Sequence, residues 1–174
     1  MKTIPGILIR PVSTFRGMRD DSPFRAILSF GILFTLFIIL SYAWFIEKAY
    51  SYGESPFSFS ELLFMMPGYA RMQLSLLLFL AIFLTEVHIS VYILGGRNGL
   101  GQTLKAVLYG LTPLLLLGYI EEINLVLSFW SVALIAVGIK ELHGISTVRS
   151  VVASVVPALL FVVFVFFMFF TFVL

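Results

Sequence analysis

The feature that most constrains this chain is a set of long apolar segments without charged side chains. Residues 26–46 contain no charged residue, and none follows Arg149 to the end of the chain. A helix needs about 20 consecutive apolar residues to cross the hydrocarbon core of a bilayer, which is about 30 Å thick. Both segments meet this length, so each is predicted to span a membrane.

The composition of the whole chain agrees with a membrane protein. Hydrophobic residues make up 60% of its 174 residues and charged residues 11%, whereas soluble domains have about 45–50% and about 25%. A soluble domain of this size could not bury so much apolar surface. The composition excludes a soluble enzyme, a disordered chain and a nucleic-acid-binding protein. The absence of cysteine also excludes disulfides and thiolate metal sites.

Five segments of spanning or near-spanning length are present: residues 26–46, 72–94, 106–120, 123–139 and 150–174. The third and fourth are short and are separated by Glu121 and Glu122. A single helix through both would place two carboxylates deep in the lipid, at several kcal/mol. A tight helical hairpin with the acids at the surface is predicted instead. Thr112-Pro113 is expected to kink the third span.

The loop between the first two spans is predicted to hold a short interfacial helix. Residues 58–61 fit a capping box, residues 62–66 are apolar, and Pro67 with Gly68 is expected to end the helix. The predicted fold is therefore all-α: a polytopic membrane protein with a bundle of five transmembrane helices and this interfacial helix. Residues 1–25 are predicted to be a cytoplasmic N-terminal segment, and residues 26–174 the five-span membrane domain.

The N-terminal segment has two interpretations. Residues 11–18 form one or two helical turns on the membrane surface, with Phe15 and Met18 facing lipid and Arg16 and Arg19 facing phosphates. Alternatively, the segment is a solvated tail. The sequence alone favours neither.

The distribution of basic residues predicts the orientation in the membrane, because Lys and Arg are enriched in cytoplasmic loops. Nine of the eleven basic residues fall on one side of the predicted spans: Lys2, Arg10, Arg16, Arg19, Arg25, Arg97, Lys105, Lys140 and Arg149. The other two, Lys48 and Arg71, fall on the opposite side together with Glu54 and Glu121. The N-terminus is therefore predicted to lie in the cytoplasm and the C-terminus outside.

Two predicted cytoplasmic turns are candidates for binding a phosphate or a lipid head group. The first contains Gly95 and Gly96 followed by Arg97, and the second contains Lys140 and His143. Glycines permit close backbone approach, and such turns can cradle an anion beside a cation. No Gly-Lys-Ser/Thr sequence follows, so the first turn is not a P-loop. The alternative is that both are simple reversals between membrane helices.

Glu86 and His88 are ionisable residues within the predicted second span, where such groups are functional candidates by default. They are about 200° apart around a helix, so they cannot bind one metal together. Neither a metal site nor a cofactor is predicted. Glu86 is expected to point into the bundle, with Ser90, Tyr109 or Thr112 as hydrogen-bond partner. It either locks helices together or handles a proton or ion.

The two turns and their flanks resemble the Yip domain family of Ypt/Rab-interacting membrane proteins. The resemblance rests on residues 94–104, on Tyr109 with Thr112-Pro113, on Trp130-Ser131, on residues 138–140 and 143–149, and on residues 11–15 at the beginning. It implies a five-span helical membrane protein with a cytoplasmic N-terminus and no catalytic residues. Eukaryotic members are linked to Rab GTPases and vesicle budding. This chain lacks their long hydrophilic N-terminal region and looks more like the short prokaryotic members.

The predicted function is that of a non-enzymatic integral membrane protein that organises or shapes membrane. Its expected partners are membrane lipids, a second copy of the chain, and a protein at the cytoplasmic face. Nucleic acid is not expected. The expected location is the plasma membrane in a prokaryote, or the Golgi or endoplasmic reticulum in a eukaryote. The alternative is a small permease or ion-coupled transporter that uses Glu86.

Overall fold

The computed structural model describes residues 3–51 and 59–173, and this part of the chain contains helices and no strand. The eight helices are α1 Thr3–Ile9, α2 Pro11–Gly17, α3 Pro23–Ser51, α4 Phe59–Ile93, α5 Leu100–Gly110, α6 Thr112–Leu117, α7 Glu121–His143 and α8 Thr147–Val173. Within the described residues, five stretches are long and apolar enough to cross a membrane: Pro23–Lys48, Gln73–Ile93, Leu100–Leu117, Glu121–His143 and Thr147–Phe164. The prediction of an all-α protein with five such helices is confirmed.

The third span is interrupted at Leu111, between α5 and α6. Pro113 has no N–H to donate to the carbonyl four residues earlier, which belongs to Tyr109. The Thr112 hydroxyl donates to that carbonyl instead, at 2.6 Å. Such side-chain replacement of a lost backbone bond is how membrane helices tolerate proline. The predicted kink at Thr112-Pro113 is therefore present.

The turn between α6 and α7 carries the two acidic residues that separate the short spans. Glu121 and Glu122 are exposed in the first turn of α7, where negative charge is favoured by the helix dipole. The Asn124 side-chain amide donates to the Gly118 carbonyl at 2.7 Å and closes the turn. The two segments are thus separate helices of a tight hairpin, as predicted.

The predicted interfacial helix is part of α4 and not a separate element. Residues 62–66 continue through Pro67 into the second span without a break, so the expectation that Pro67 ends the helix is wrong. A proline removes one backbone hydrogen bond but its φ angle is compatible with a helix, and a helix of 35 residues retains the others. Ser58, the first residue of the predicted capping box, and Glu54 lie outside the described residues.

The N-terminal helices pack into the bundle. Phe15 is 0% exposed and Met18 is also buried, so both the expectation that they face lipid and the solvated tail are wrong. The Phe15 ring occupies a space left by two small residues: a Cβ on Gly138 would lie 3.0 Å from Phe15 Cε1 and 3.0 Å from Ala106 Cβ. Burial of an aromatic ring in this space fixes α2 against α5 and α7.

Helix α5 lies at the centre of the molecule, since most of its residues are buried and it packs on α7, α3 and α4. It lies close to α7 at Gly110, where a Cβ would lie 2.4 Å from Ile135 Cγ1. Close helix contacts at small residues are typical of membrane bundles. Helices α3 and α8 lie at the periphery and expose many apolar side chains.

Candidate functional site

The two turns predicted to bind head groups pack against each other. Gly96 lies on the His143 ring: a Cβ at this position would be 3.1 Å from His143 Nδ1 and 2.4 Å from Val91 Cγ1. The Asn98 side-chain amide donates to the Leu142 carbonyl at 2.7 Å. The first turn is therefore seated directly on the end of α7, and a residue larger than glycine does not fit at position 96.

Gly144 ends α7 with a left-handed backbone conformation, at φ 70° and ψ 23°. Its N–H donates to the Lys140 carbonyl at 2.9 Å. Glycine is favoured at such a helix C-terminus because other residues are strained there. This conformation turns the chain sharply into α8, so that the start of α8 lies beside the first turn: a Cβ on Gly95 would be 3.5 Å from the Arg149 guanidinium.

A hydrogen-bonded chain of three side chains, two of them buried and one half-buried, lies beneath the turns. Thr103 Oγ1 is 2.9 Å from His88 Nδ1 and 3.0 Å from His143 Nε2. Thr103 and His143 are buried. A hydroxyl has one proton to donate and can accept two, so Thr103 donates to one ring at most and accepts an N–H from at least one of the two. These are the two histidines of the chain, and they link α4, α5 and α7.

We expect Thr103→Val, which keeps the side-chain shape, to lower the free energy of unfolding by about 1–3 kcal/mol, because the buried His143 and the half-buried His88 each lose a hydrogen-bond partner. Thr85→Val is the matched control, since Thr85 is exposed and its hydroxyl bonds only to the Ala81 carbonyl of its own helix, at 2.8 Å. Denaturant unfolding of both variants in detergent micelles measures the difference. Equal stability of the two variants would contradict a role for the chain of three residues.

A second polar site holds the N-terminal helices. Lys105 is 1% exposed, and its ammonium donates to the carbonyls of Met18 at 2.7 Å, Arg19 at 2.9 Å and Asp21 at 2.9 Å. An ammonium group has three donors, and all three are used. The Gln102 side-chain amide donates to the Arg19 carbonyl as well, at 2.8 Å. The backbone that follows α2 is thus bound to α5.

The sequence reasoning missed Lys105 and Thr103 as site residues. Lys105 is one of the nine basic residues that the sequence assigns to the cytoplasmic side, directly before the third span predicted at 106–120, whereas the structure places it within the span Leu100–Leu117. The rule that singled out Glu86, a charged residue within an apolar helix, does not select Lys105 at those predicted bounds, because the residue falls just outside them. Thr103 has no such signal, because a threonine in an apolar helix most often bonds to its own backbone.

Arg16 of α2 forms an ion pair with Glu141 near the end of α7, with Nε 3.0 Å from Oε2. The Glu141 side chain is only 9% exposed, whereas the Arg16 side chain is 71% exposed, so the pair lies at the surface with its carboxylate against the protein. Arg19 lies near the same place, since a Cβ on Gly144 would be 3.6 Å from its guanidinium. Two basic side chains of the N-terminal segment, Arg16 and Arg19, therefore lie beside the second turn.

The structure brings some of the predicted turn residues together. Gly96 and His143 are in contact, and Gly95 lies beside Arg149. The Arg97 guanidinium is exposed and lies 4.6 Å from the centre of the Tyr92 ring, a cation–π contact. Lys140, in the last turn of α7, is half-buried.

Glu86 and His88 lie on opposite flanks of α4, on either side of the fully buried Val87. Glu86 is half-buried beside a shallow groove. One of its carboxylate oxygens is enclosed without a hydrogen-bond partner. None of the partners predicted for it, Ser90, Tyr109 and Thr112, bonds to it. Among the residues that the structure describes, no three His, Cys, Asp or Glu side chains are grouped to hold a metal.

The fold and these sites define a polytopic α-helical membrane protein whose two glycine-containing turns pack into one face. The family model of the Yip1 domain matches residues 6–169. The chain therefore belongs to the Yip1 family, a family of non-enzymatic membrane proteins. The match begins within α1 and includes both turns and all five spans. No curated protein and no solved structure is significantly similar to this chain.

Proposed function

We propose that this protein organises membrane without catalysis and binds anionic lipid head groups at its predicted cytoplasmic face. The observation that carries the proposal is a set of basic side chains around the packed turns, called here the cationic face: Arg19, Arg97, Lys140 and Arg149. In the described part of the chain none of the four forms an ion pair. Basic residues at a membrane surface contribute about 1 kcal/mol each to the binding of anionic lipid.

The packing beneath the cationic face supports the proposal. Gly96 against His143, and Asn98 on the Leu142 carbonyl, hold the two turns in one arrangement. Arg97 rests on the Tyr92 ring. A site that is ordered before its ligand arrives loses less conformational entropy on binding. The same face is where we place a protein partner, with the N-terminus in the cytoplasm as the basic residues predict.

The transporter alternative has less support. Glu86 and His88 lie on opposite flanks of α4 and do not form one site. The cavity between α4 and α7 has an apolar lining apart from Ser128 and Ser131, and Glu86 does not line it. An ion pathway needs polar groups that face a shared space, and among the described residues these two ionisable groups do not provide one.

We expect the double variant Arg97→Gln/Arg149→Gln to bind phosphatidylglycerol about 30-fold more weakly than the parent, because two charges contribute about 2 kcal/mol. The full chain is reconstituted in nanodiscs that contain phosphatidylcholine and phosphatidylglycerol. Native mass spectrometry then releases the protein from the nanodisc and measures how many phosphatidylglycerol molecules remain bound to it. Arg71→Gln is the matched control, since Arg71 is exposed but predicted to lie on the opposite side. Unchanged retention in the double variant, or an equal loss in Arg71→Gln, would refute the cationic face.

A further inference from the structure

A cavity of about 330 Å³ lies within the bundle, between α4, α7, α8 and the junction of α5 with α6. Helix α4 packs on α5 and α8, and α7 packs on α5, α6 and α8, so a space remains between α4 and α7. Small side chains on the walls, Ser131 and Ala158 among them, leave it unfilled. The volume is within the range of about 300–1,000 Å³ that is usual for small-molecule sites.

The cavity is reached from the side of the protein that faces lipid. On one wall the Phe161 ring packs against Phe83, with ring centres 5.6 Å apart, and against Phe79 at 6.0 Å. Two other lining residues, Leu76 and Val162, are exposed on the apolar surface of the bundle. A ligand from the hydrocarbon region can therefore enter laterally between helices.

Ser131 places one unpartnered polar group in this apolar space. Its side chain lines the cavity, is 1% exposed and has no hydrogen-bond partner. Other helix serines bond to their own backbone: Ser128 to the Asn124 carbonyl at 2.9 Å, and Ser154 to the Val151 carbonyl at 3.0 Å. A buried hydroxyl without a partner is unfavourable, so an occupant with an acceptor atom would remove this penalty.

The lining of the cavity offers too few hydrogen-bond partners to hold an ordered water molecule. A buried water needs two to four polar partners, and the hydroxyl groups that line this space are those of Ser128 and Ser131, of which Ser128 is already bonded to its own helix. The walls are otherwise apolar. An elongated hydrocarbon ligand would restore the dispersion contacts that an empty cavity lacks.

We propose that this cavity binds the acyl chain of a lipid, and that the acyl carbonyl accepts a hydrogen bond from the Ser131 hydroxyl. A phospholipid ester and a free fatty acid both provide this combination of chain and carbonyl. The site is separate from the cationic face, because Ser131 lies nine positions before Lys140 in α7 and is therefore about 14 Å along the helix from it. Loss of either site leaves the other intact.

The test uses the full chain in phosphatidylcholine vesicles with one of two photoreactive probes. One is phosphatidylcholine with a diazirine on its acyl chain, and the other is palmitic acid with the same group. After irradiation, mass spectrometry of peptides locates the adducts. We expect adducts on Phe83 and Ile135, which line the cavity and are buried from the surrounding lipid. The probe that labels them identifies the source of the chain.

Two variants of Ser131 and one control make the result decisive. Ser131→Leu fills the cavity and is expected to reduce adducts at Ile135 about tenfold, whereas Ala133→Leu, on the exposed face of the same helix, leaves them unchanged. Ser131→Ala keeps the cavity open and removes only the hydroxyl, so it is expected to reduce labelling about threefold even if Ser131→Leu does not fold. Adducts confined to exposed residues with both probes, or full labelling in Ser131→Ala, would overturn the proposal.

Discussion

Replacing Lys105 with methionine is expected to release the N-terminal helices from the bundle and to lower the free energy of unfolding by about 3 kcal/mol or more. The ammonium donates to three backbone carbonyls at 2.7–2.9 Å. Hydrogen bonds of a charged group contribute about 1.5–3 kcal/mol each, and methionine, which has a similar length, replaces none of them. The Met18 carbonyl would remain enclosed without its donor.

Trypsin measures this release directly, because the segment from Arg10 to Arg25 contains four arginines. We expect cleavage in Lys105→Met at least tenfold faster than in the parent under native conditions, since cleavage follows the population of the opened state. Lys140→Met is the control: it removes the same charge from a half-buried position outside the carbonyl cluster. Equal cleavage rates in the two variants would show that Lys105 does not hold the N-terminal helices.

Replacing Gly110 with alanine is expected to destabilise the protein by about 3 kcal/mol. An added Cβ would lie 2.4 Å from Ile135 Cγ1 and 2.9 Å from the Ile135 backbone nitrogen. The side chain of Ile135 is buried, and a backbone atom cannot rotate away, so α5 and α7 must separate. Overpacking of this kind usually costs about 1–3 kcal/mol, and separation of the two central helices adds loss of core contacts.

Gly31→Ala is the matched control, since Gly31 lies within helix α3 and has no heavy atom within 4 Å of an added Cβ. There the same substitution is expected to be neutral or to stabilise by about 0.5–1 kcal/mol, through the helix preference of alanine. Unfolding of both variants in micelles separates the two effects. A Gly110→Ala protein as stable as Gly31→Ala would mean that the contact between α5 and α7 is not close.

The predictions that succeeded concern which segments become helices. Spans can be predicted from apolar length because backbone groups in a bilayer must bond within their own helix. Glu121 and Glu122 predicted the hairpin, and Pro113 predicted the interruption of the third span. These predictions succeeded because charged residues and proline affect the helix within a few positions of their own place in the chain. The prediction that Pro67 ends a helix was wrong because one proline removes only one backbone hydrogen bond. The remaining hydrogen bonds of the 35-residue helix α4 keep it continuous through this position.

The predictions that failed concern which side chains meet. The spacing of Phe15 and Met18 along the chain predicts that they face lipid. In the structure the Phe15 side chain instead packs beside Gly138 and Ala106. Glu86 was expected to bond to Ser90, Tyr109 or Thr112, whereas the Thr112 hydroxyl bonds to the backbone of Tyr109. His88 bonds across to Thr103, which lies on the other flank of α4 from Glu86.

By itself, the sequence determined the membrane class, the number of apolar helices and the resemblance to the Yip family, because each depends on local hydropathy or on motifs close in the chain. Only the tertiary structure decided that Thr103 joins two histidines, that Lys105 binds the carbonyls after α2, and that Ser131 faces a cavity. These contacts join residues up to 87 positions apart. They depend on how the packed helices are rotated and how closely they approach one another. Small residues such as Gly110 permit a close approach, but the order of residues along one helix does not specify which helix it meets.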